Sequence, residues 1–372
     1  MNKILLIGNS GIKRNGTDGQ TVKVRLYLKK IQDEGFDVLF VDLESFSKHP
    51  ISKLFQIKKY IEKCDRIVLL TAERGTRILV PFINYVNKKY RKPFVFPLIG
   101  LGVLHFYMKN LSKQQQLDFL VNKNYSICQR NVKWEKQLSK MTYILPETDE
   151  LCDAYIHFLH LNNVYKLNNF RDFESIKTQI YSVNNPIKAI YLSRVWREKG
   201  IFDLLEVVGN INKNGIKIEL DIFGSKNLNS YEDVAFNKFI NENDEIKYHG
   251  PIDSSHVVSA LSKYDIFIFP TRYTGEGTPG VISESLIAGV PVLTADFAQA
   301  NLLLKDGCDS LFYKMFDKRD LEEKMMYIIN NKEVLIKMRE KAAESGKQYT
   351  YTFERDNFLH YVCGLDIEEK KI

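Results

Sequence analysis

Residues 275–292 read G-E-G-T-P-G-V-I-S-E-S-L-I-A-G-V-P-V. Glu276 sits in a glycine-rich loop after an apolar stretch, and Glu284 follows eight residues later inside a helix predicted to open near Pro279. The backbone N–H groups of a helix start suit a phosphate or diphosphate. A carboxylate accepts hydrogen bonds from two hydroxyls, so two Glu residues here suit two polyol parts of one ligand. The chemistry described is a phosphate flanked by sugars. The same residues also fit a plain βα turn with one helix-start Glu and one surface Glu. A second set lies in 189–200, A-I-Y-L-S-R-V-W-R-E-K-G, where Arg194 follows a predicted strand and Lys199-Gly200 opens the next helix. Two cations five residues apart beyond a strand end can clamp a diphosphate. Solvated surface cations are the alternative. Gly224 follows the apolar stretch 219–223, and Gly250 ends K-Y-H-G at 247–250. Both put a small residue at a strand end, where backbone can approach a flat ring.

The first half is less explicit. Its loop 8–20, G-N-S-G-I-K-R-N-G-T-D-G-Q, has four glycines in thirteen residues and contains no G-x-G-x-x-G, so the dinucleotide fingerprint is absent. A flexible surface loop is its plain reading. His105, in L-I-G-L-G-V-L-H-F-Y-M-K-N at 98–110, is the one His of this half near a predicted cleft, and a packed core His is its other reading. Glu73-Arg74-Gly75-Thr76-Arg77 follows the third predicted strand and offers arginines to an anionic ligand or to solvent.

Apolar runs alternate with helical patterns throughout, the rhythm of a parallel sheet with crossover helices. Strands are predicted at 3–8, 37–42, 66–71, 93–99, 125–128 and 142–145. A second series follows the turn-like Asn184-Asn185-Pro186: 189–193, 219–224, 245–249, 266–270 and 290–294. A helix is predicted over 20–34, with Val22, Leu26, Leu28 and Ile31 near one face and Gly35 ending it. Two series imply an α/β fold of two Rossmann-like domains with parallel sheets facing a central cleft, 1–183 and 184–349. The aromatic, helical tail of about 350–372 is expected to pack back on the first. Ligands of such sheets bind beyond the carboxyl ends of the strands.

With 372 residues, 44% hydrophobic and 27% charged, the composition is that of a globular chain and excludes disordered or fibrous classes. No apolar run reaches the ~18 residues of a spanning helix. The four-residue apolar run after Lys3 is too short for a secretory leader. Five scattered cysteines with no C-x-x-C give neither a disulfide framework nor a zinc signature. A cytoplasmic protein is expected. Net charge is +7, but residues 1–183 hold 29 Lys/Arg against 17 Asp/Glu, whereas 184–372 hold 24 against 29. A basic first half suits nucleic acid, an acidic membrane leaflet or a phosphorylated substrate, and lysine enrichment of a biased genome gives the same count.

Taken together, residues 188–295 resemble the retaining glycosyltransferases of family 4, the group 1 glycosyltransferases of the GT-B fold. Glu276 and Glu284 match the E-x7-E motif; Arg194 and Lys199-Gly200 match the diphosphate-binding Arg and Lys-Gly; Gly224, His249-Gly250 and Ala288-Gly289-Val290-Pro291-Val292 follow in order. The resemblance implies that Arg194 and Lys199 neutralise the donor diphosphate. Glu284 would hold the ribose, and Glu276 the donor sugar. Backbone at Gly280, Val281 and Ile282 would face phosphate and sugar, with residues beside Gly224 and Gly250 flanking the base. The loop 8–20 resembles the family's Gly-rich loop that faces the cleft, where backbone at Gly16 and Gly19 would approach the donor phosphate and acceptor, and some members of the superfamily place a His beside the reacting sugar, the role open to His105. Thr278-Pro279 stands where the family has an aromatic residue and then Gly or Pro, beside the donor sugar. Leu192-Ser193 replaces the usual Gly before Arg194, and no second Gly follows Gly224.

The reaction so implied moves a hexose from a UDP- or GDP-linked donor to a hydroxyl with retention. No cofactor is expected, and no metal, because no D-x-D stands after a strand end. The expected acceptor is a saccharide or lipid-linked saccharide of bacterial surface polysaccharide assembly (capsule, exopolysaccharide or O-antigen). An anionic membrane surface is a further expected partner, making the chain peripheral on the inner face. The concentration of site motifs in the acidic half argues against nucleic acid. A nucleotide-sugar epimerase and a non-catalytic nucleotide-sugar-binding partner are the competing readings.

Overall fold

The computed structural model describes residues 3–12, 19–173, 182–273, 276, 278–297 and 299–366. The chain divides into two compact units, Met1–Asn169 with Phe353–Ile372, and Phe170–Thr352. Each is a parallel sheet clothed by helices.

In the first unit the strands are β1 (Lys3–Gly8), β2 (Asp37–Asp42), β3 (Arg66–Leu70), β4 (Phe94–Pro97) and β5 (Tyr143–Leu145), in the order β2-β1-β3-β4-β5. All paired neighbours run parallel. Ile4, Leu5, Leu6 and Ile7 of β1 are fully buried, as a continuous apolar run demands of a strand covered on both faces. The helix Gly19–Asp33 joins β1 to β2, and Gly35 follows it at φ 84°, a left-handed stop that glycine takes without strain. Its buried face holds Val24, Tyr27 and Ile31 but also Lys23, whose ammonium donates to the Leu98 carbonyl (2.7 Å) and to Glu147 (2.5 Å). Val22 and Leu28, predicted for that face, are only half-buried.

Residues 353–366 are held within this unit. Phe358 packs edge-on against Tyr27 at 5.2 Å, Arg355 grips Glu34 with two hydrogen bonds (2.7 and 2.6 Å), and Arg66 donates to the Tyr361 carbonyl (3.0 Å). The strand predicted at 125–128 does not form: Tyr125–Ile127 is a 3-10 turn. Ser126 donates to Asn124 (2.6 Å) and the Tyr125 ring packs on Phe119 (5.1 Å), so the local turn and the aromatic cluster outweigh the alternating pattern.

In the second unit the strands are β6 (Ile187–Leu192), β7 (Ile218–Phe223), β8 (Ile246–Gly250), β9 (Ile266–Phe269), β10 (Val292–Ala295) and β11 (Ser310–Tyr313), in the order β11-β10-β9-β6-β7-β8. The short β11 was not predicted. This unit begins at Phe170 rather than at 184: Arg171 donates its N–H to the Tyr349 carbonyl (2.8 Å) and accepts from Tyr351 (2.9 Å). In each sheet the strand order reverses beside the unit's first strand, between β1 and β3 and between β6 and β9. Loops leaving the carboxyl ends of two such strands diverge and open a crevice there.

Candidate functional site

The crevice between β6 and β9 collects the charged residues of the second unit. After β6 the chain passes Ser193 and Arg194, turns through the 3-10 segment Arg197–Lys199, and enters the helix Ile201–Asn212 at Gly200, φ 75°. A Cβ at Gly200 would run into the Pro270 carbonyl oxygen, so this close approach of the β6 and β9 loops requires glycine. The approach sets Lys199 against the residues that follow β9. Its Nζ donates to Glu276 Oε2 at 2.5 Å, and Thr271 Oγ1 donates to the same oxygen at 2.8 Å. The rings of Phe269 and Tyr273 flank the ammonium at 5.4 and 5.5 Å. Lys199 is 7% exposed and Glu276 9%, and charges so buried persist only when paired.

Glu284 lies on the helix Gly280–Ile287, which starts behind Pro279 with no side-chain cap. It is also buried, and its Oε1 accepts from Arg171 Nε at 2.8 Å. Burial pushes the Glu284 carboxyl up, and the Arg171 guanidinium opposes that shift. The two Glu residues therefore share a design. Each has one oxygen bound by a cation, and among the described residues neither Glu276 Oε1 nor Glu284 Oε2 receives a hydrogen bond.

The remaining predicted residues fall as follows. Arg194 is exposed, with its guanidinium 5.4 Å above the Trp196 ring. Gly224 N–H donates to the Gly250 carbonyl (2.8 Å), which ties the ends of β7 and β8 together, and at φ 140° its missing Cβ makes room for the Ser193 carbonyl. Gly250 has φ 76° and open space where a Cβ would stand. Beside them His249 stacks on Phe223 (4.7 Å between centroids) and meets Asp221 at 2.6 Å. Gly280 and Val281 open the helix, so their N–H groups have no acceptor within it. The Ile282 N–H, expected to face a ligand, is instead taken by the Pro279 carbonyl (3.1 Å), and the Ile282 side chain is core.

In the first unit, the corresponding reversal between β1 and β3 opens a cavity of about 440 Å³, lined among others by Asn9, Gln20, Thr71, Glu73 and Arg74. His105 starts the short helix His105–Met108 and meets Glu73 at 3.2 Å, with 46% of its side chain exposed. Gly19 is exposed at the start of its helix, whereas Gly16 lies outside the described residues. Among the described residues no helix is long and apolar enough to cross a membrane.

Sequence reasoning missed two residues of the second-unit site. Thr271 had a signal, being a hydroxyl directly after the β9 run. Arg171 had none, because it stands 113 residues before Glu284 in a stretch without periodicity.

Residues 172–349 match the family described as glycosyl transferases group 1. The chain is 21% identical over 348 residues to N,N'-diacetylbacillosaminyl-diphospho-undecaprenol alpha-1,3-N-acetylgalactosaminyltransferase of Campylobacter jejuni, covering 90% of this chain and 87% of that protein. It is 24% identical over 161 residues to the capsular polysaccharide biosynthesis glycosyltransferase CapM of Staphylococcus aureus, covering 42% of this chain and 40% of that one. Among solved structures, HepE of Anabaena in complex with UDP superposes with a TM-score of 0.69 at 12% identity, over 98% of this chain and 100% of HepE. Sucrose-phosphate synthase of Thermosynechococcus elongatus gives 0.66 at 14% identity, over 98% and 99%. The match over 172–349 makes the second unit similar to the group 1 glycosyltransferases, and the two parallel-sheet units have the GT-B fold.

Proposed function

We propose that the chain transfers a hexose, with retention of anomeric configuration, from a UDP- or GDP-linked donor to a hydroxyl of a lipid-linked saccharide in bacterial surface polysaccharide assembly. The observation that carries this reading is the pair of buried, cation-held carboxylates at one topological switch point, each with one oxygen in reserve. Glu276 Oε1 takes hydroxyls of the donor sugar, and Glu284 Oε2 takes the ribose diol. The open strand ends at Gly224 and Gly250 receive the base. Lys199 spends one of its three N–H donors on Glu276 and keeps the others for the diphosphate. Arg194 and the N–H groups of Gly280 and Val281 add to that charge.

As the sugar–phosphate bond breaks, negative charge grows on the leaving diphosphate. Preorganised cations and helix-start amides that oppose it lower the barrier without a divalent ion. Both carboxylates are committed to holding partners, so neither serves as nucleophile, and the acceptor hydroxyl attacks from the face the phosphate leaves, passing its proton to that phosphate. In the first unit, His105 serves the acceptor, with Glu73 orienting its ring.

The lipid diphosphate acceptor is supported by the basic first half, 29 Lys/Arg against 17 Asp/Glu, and by the diphospho-undecaprenol acceptor in the name of the Campylobacter relative. With such an acceptor the chain works at the inner face of an anionic membrane. Calorimetry with UDP, GDP and their sugars tests the donor half. Selective binding of one nucleotide, weakened by Glu284→Gln, is expected; binding of none would overturn the reading.

A further inference from the structure

Arg171 is 5% exposed, and its position is fixed at both ends. Its N–H and carbonyl are pinned by Tyr349 (2.8 Å) and Tyr351 (2.9 Å), in a parallel bridge beside Thr350. At the other end Nε donates to Glu284 Oε1 (2.8 Å) and Nη1 donates to the Phe170 carbonyl (3.0 Å). Nη2 fills the space a Cβ would claim at Gly280, the first residue of the helix that carries Glu284. Gly280 has no left-handed backbone to explain it, so the volume occupied by Arg171 is the physical reason for glycine at this position.

The geometry points to Arg171 as a positioning residue for nucleotide recognition: by taking Oε1 alone, it orients Glu284 and leaves Oε2 as the acceptor for the ribose hydroxyls. This rests on the reading that Glu284 holds the ribose. A guanidinium that gripped both oxygens would have used the carboxylate up, whereas the single Nε bond orients it and leaves half free. Burial alone would favour the protonated acid, a poorer acceptor, and the adjacent cation counters that. The residue lies two positions past the 169/170 boundary, and its backbone partners lie just before the 352/353 boundary, so the ribose carboxylate is anchored where the chain enters and leaves its unit.

The test compares calorimetric affinities for whichever of UDP and GDP binds, and for its 2',3'-dideoxy analogue, in wild type, Arg171→Gln and Arg171→Lys. Wild type should prefer the ribonucleotide about tenfold or more, the usual worth of a charge-assisted hydrogen bond. Arg171→Gln should bring the ratio below about twofold, with Arg171→Lys restoring most of it, since a cation near Oε1 suffices to hold the charge. On lowering the pH, ribonucleotide affinity of Arg171→Gln should fall before that of wild type. A folded Arg171→Gln that keeps the wild-type ratio overturns the inference and leaves the ribose reading standing. A wild type that does not discriminate overturns the ribose reading itself. Should Arg171→Gln not fold, Gly280→Ala, which crowds the guanidinium without removing it, is judged by the same ratio.

Discussion

The two units open a crevice at the same topological place and fill it in opposite ways. At the β6/β9 reversal the polar groups are buried and paired, Lys199 with Glu276 and Arg171 with Glu284. At the β1/β3 reversal there is a cavity of about 440 Å³ whose rim carries Glu73, paired at its edge with Arg77 (3.0 Å) and His105 (3.2 Å), all in contact with solvent. Buried pairs are costly to assemble but fixed once made, and fixed charges recognise a ligand of constant shape. Exposed pairs contribute little and move easily, as suits a ligand that varies. On the proposed function, the first description fits the nucleotide diphosphate and the second fits the acceptor.

The sharpest way to break this contrast is Lys199→Met. It removes the cation that opposes leaving-group charge, and sugar transfer should fall by about 10²–10³-fold in kcat. Retention of transfer within about threefold would mean that the buried pair at β6/β9 is structural and the contrast carries no functional meaning. Next comes Gly200→Ala. Its φ of 75° and the Pro270 carbonyl in the way of a Cβ predict a loss of about 3 kcal/mol in urea unfolding. An unchanged midpoint would show that the β6 and β9 loops need not approach so closely. In the first unit the effects should be smaller and of another kind. His105→Ala should lower transfer about tenfold, with donor affinity and melting temperature unchanged, because its partner is an exposed one. A weakened donor affinity instead would move His105 out of the acceptor side.

The same contrast explains what was legible in the sequence. Glycine, Lys199 and the two Glu residues sit within short stretches that follow apolar runs, so their spacing alone fixed their place at strand ends. Pairing partners across the unit carry no such trace. Arg171 reaches Glu284 across 113 residues, whereas Thr271, which shares Glu276 with Lys199, is marked in the sequence as a hydroxyl directly after the β9 run. The strand β1 was legible because it is apolar without interruption. The Ser310–Tyr313 strand is too short for periodicity to register. The alternation at 125–128 misled because Tyr125 buries its ring against Phe119 from a turn rather than from a ladder. The first unit's cavity was legible only as a place after β1 and β3, since its lining residues have no spacing of their own.

The smallest predicted effect concerns a carboxylate of the first unit that is buried on amide donors. Glu354 is 2% exposed; its Oε1 accepts from Asn168 (2.6 Å) and its Oε2 from Asn357 (3.2 Å). Burial raises its carboxyl above the ordinary value of 4.5, and the amide bonds only partly offset this. A folded-state pKa raised above the unfolded one means that the folded protein binds this proton more tightly. Its contribution to stability is therefore complete below the unfolded value and is lost as pH rises through the folded one. Glu354→Gln keeps the shape, lets the Asn357 amide turn its oxygen toward the new donor, and stays neutral throughout. The variant should match wild type near about pH 5 and melt at a higher temperature than wild type near about pH 8. The Glu276→Gln change in the second unit should do the reverse, lowering the melting temperature at about pH 8, because it strips Lys199 of a charge that burial requires. If both variants shift in the same direction, the distinction between amide-held and cation-held carboxylates fails, and with it the physical basis for reading the two crevices differently.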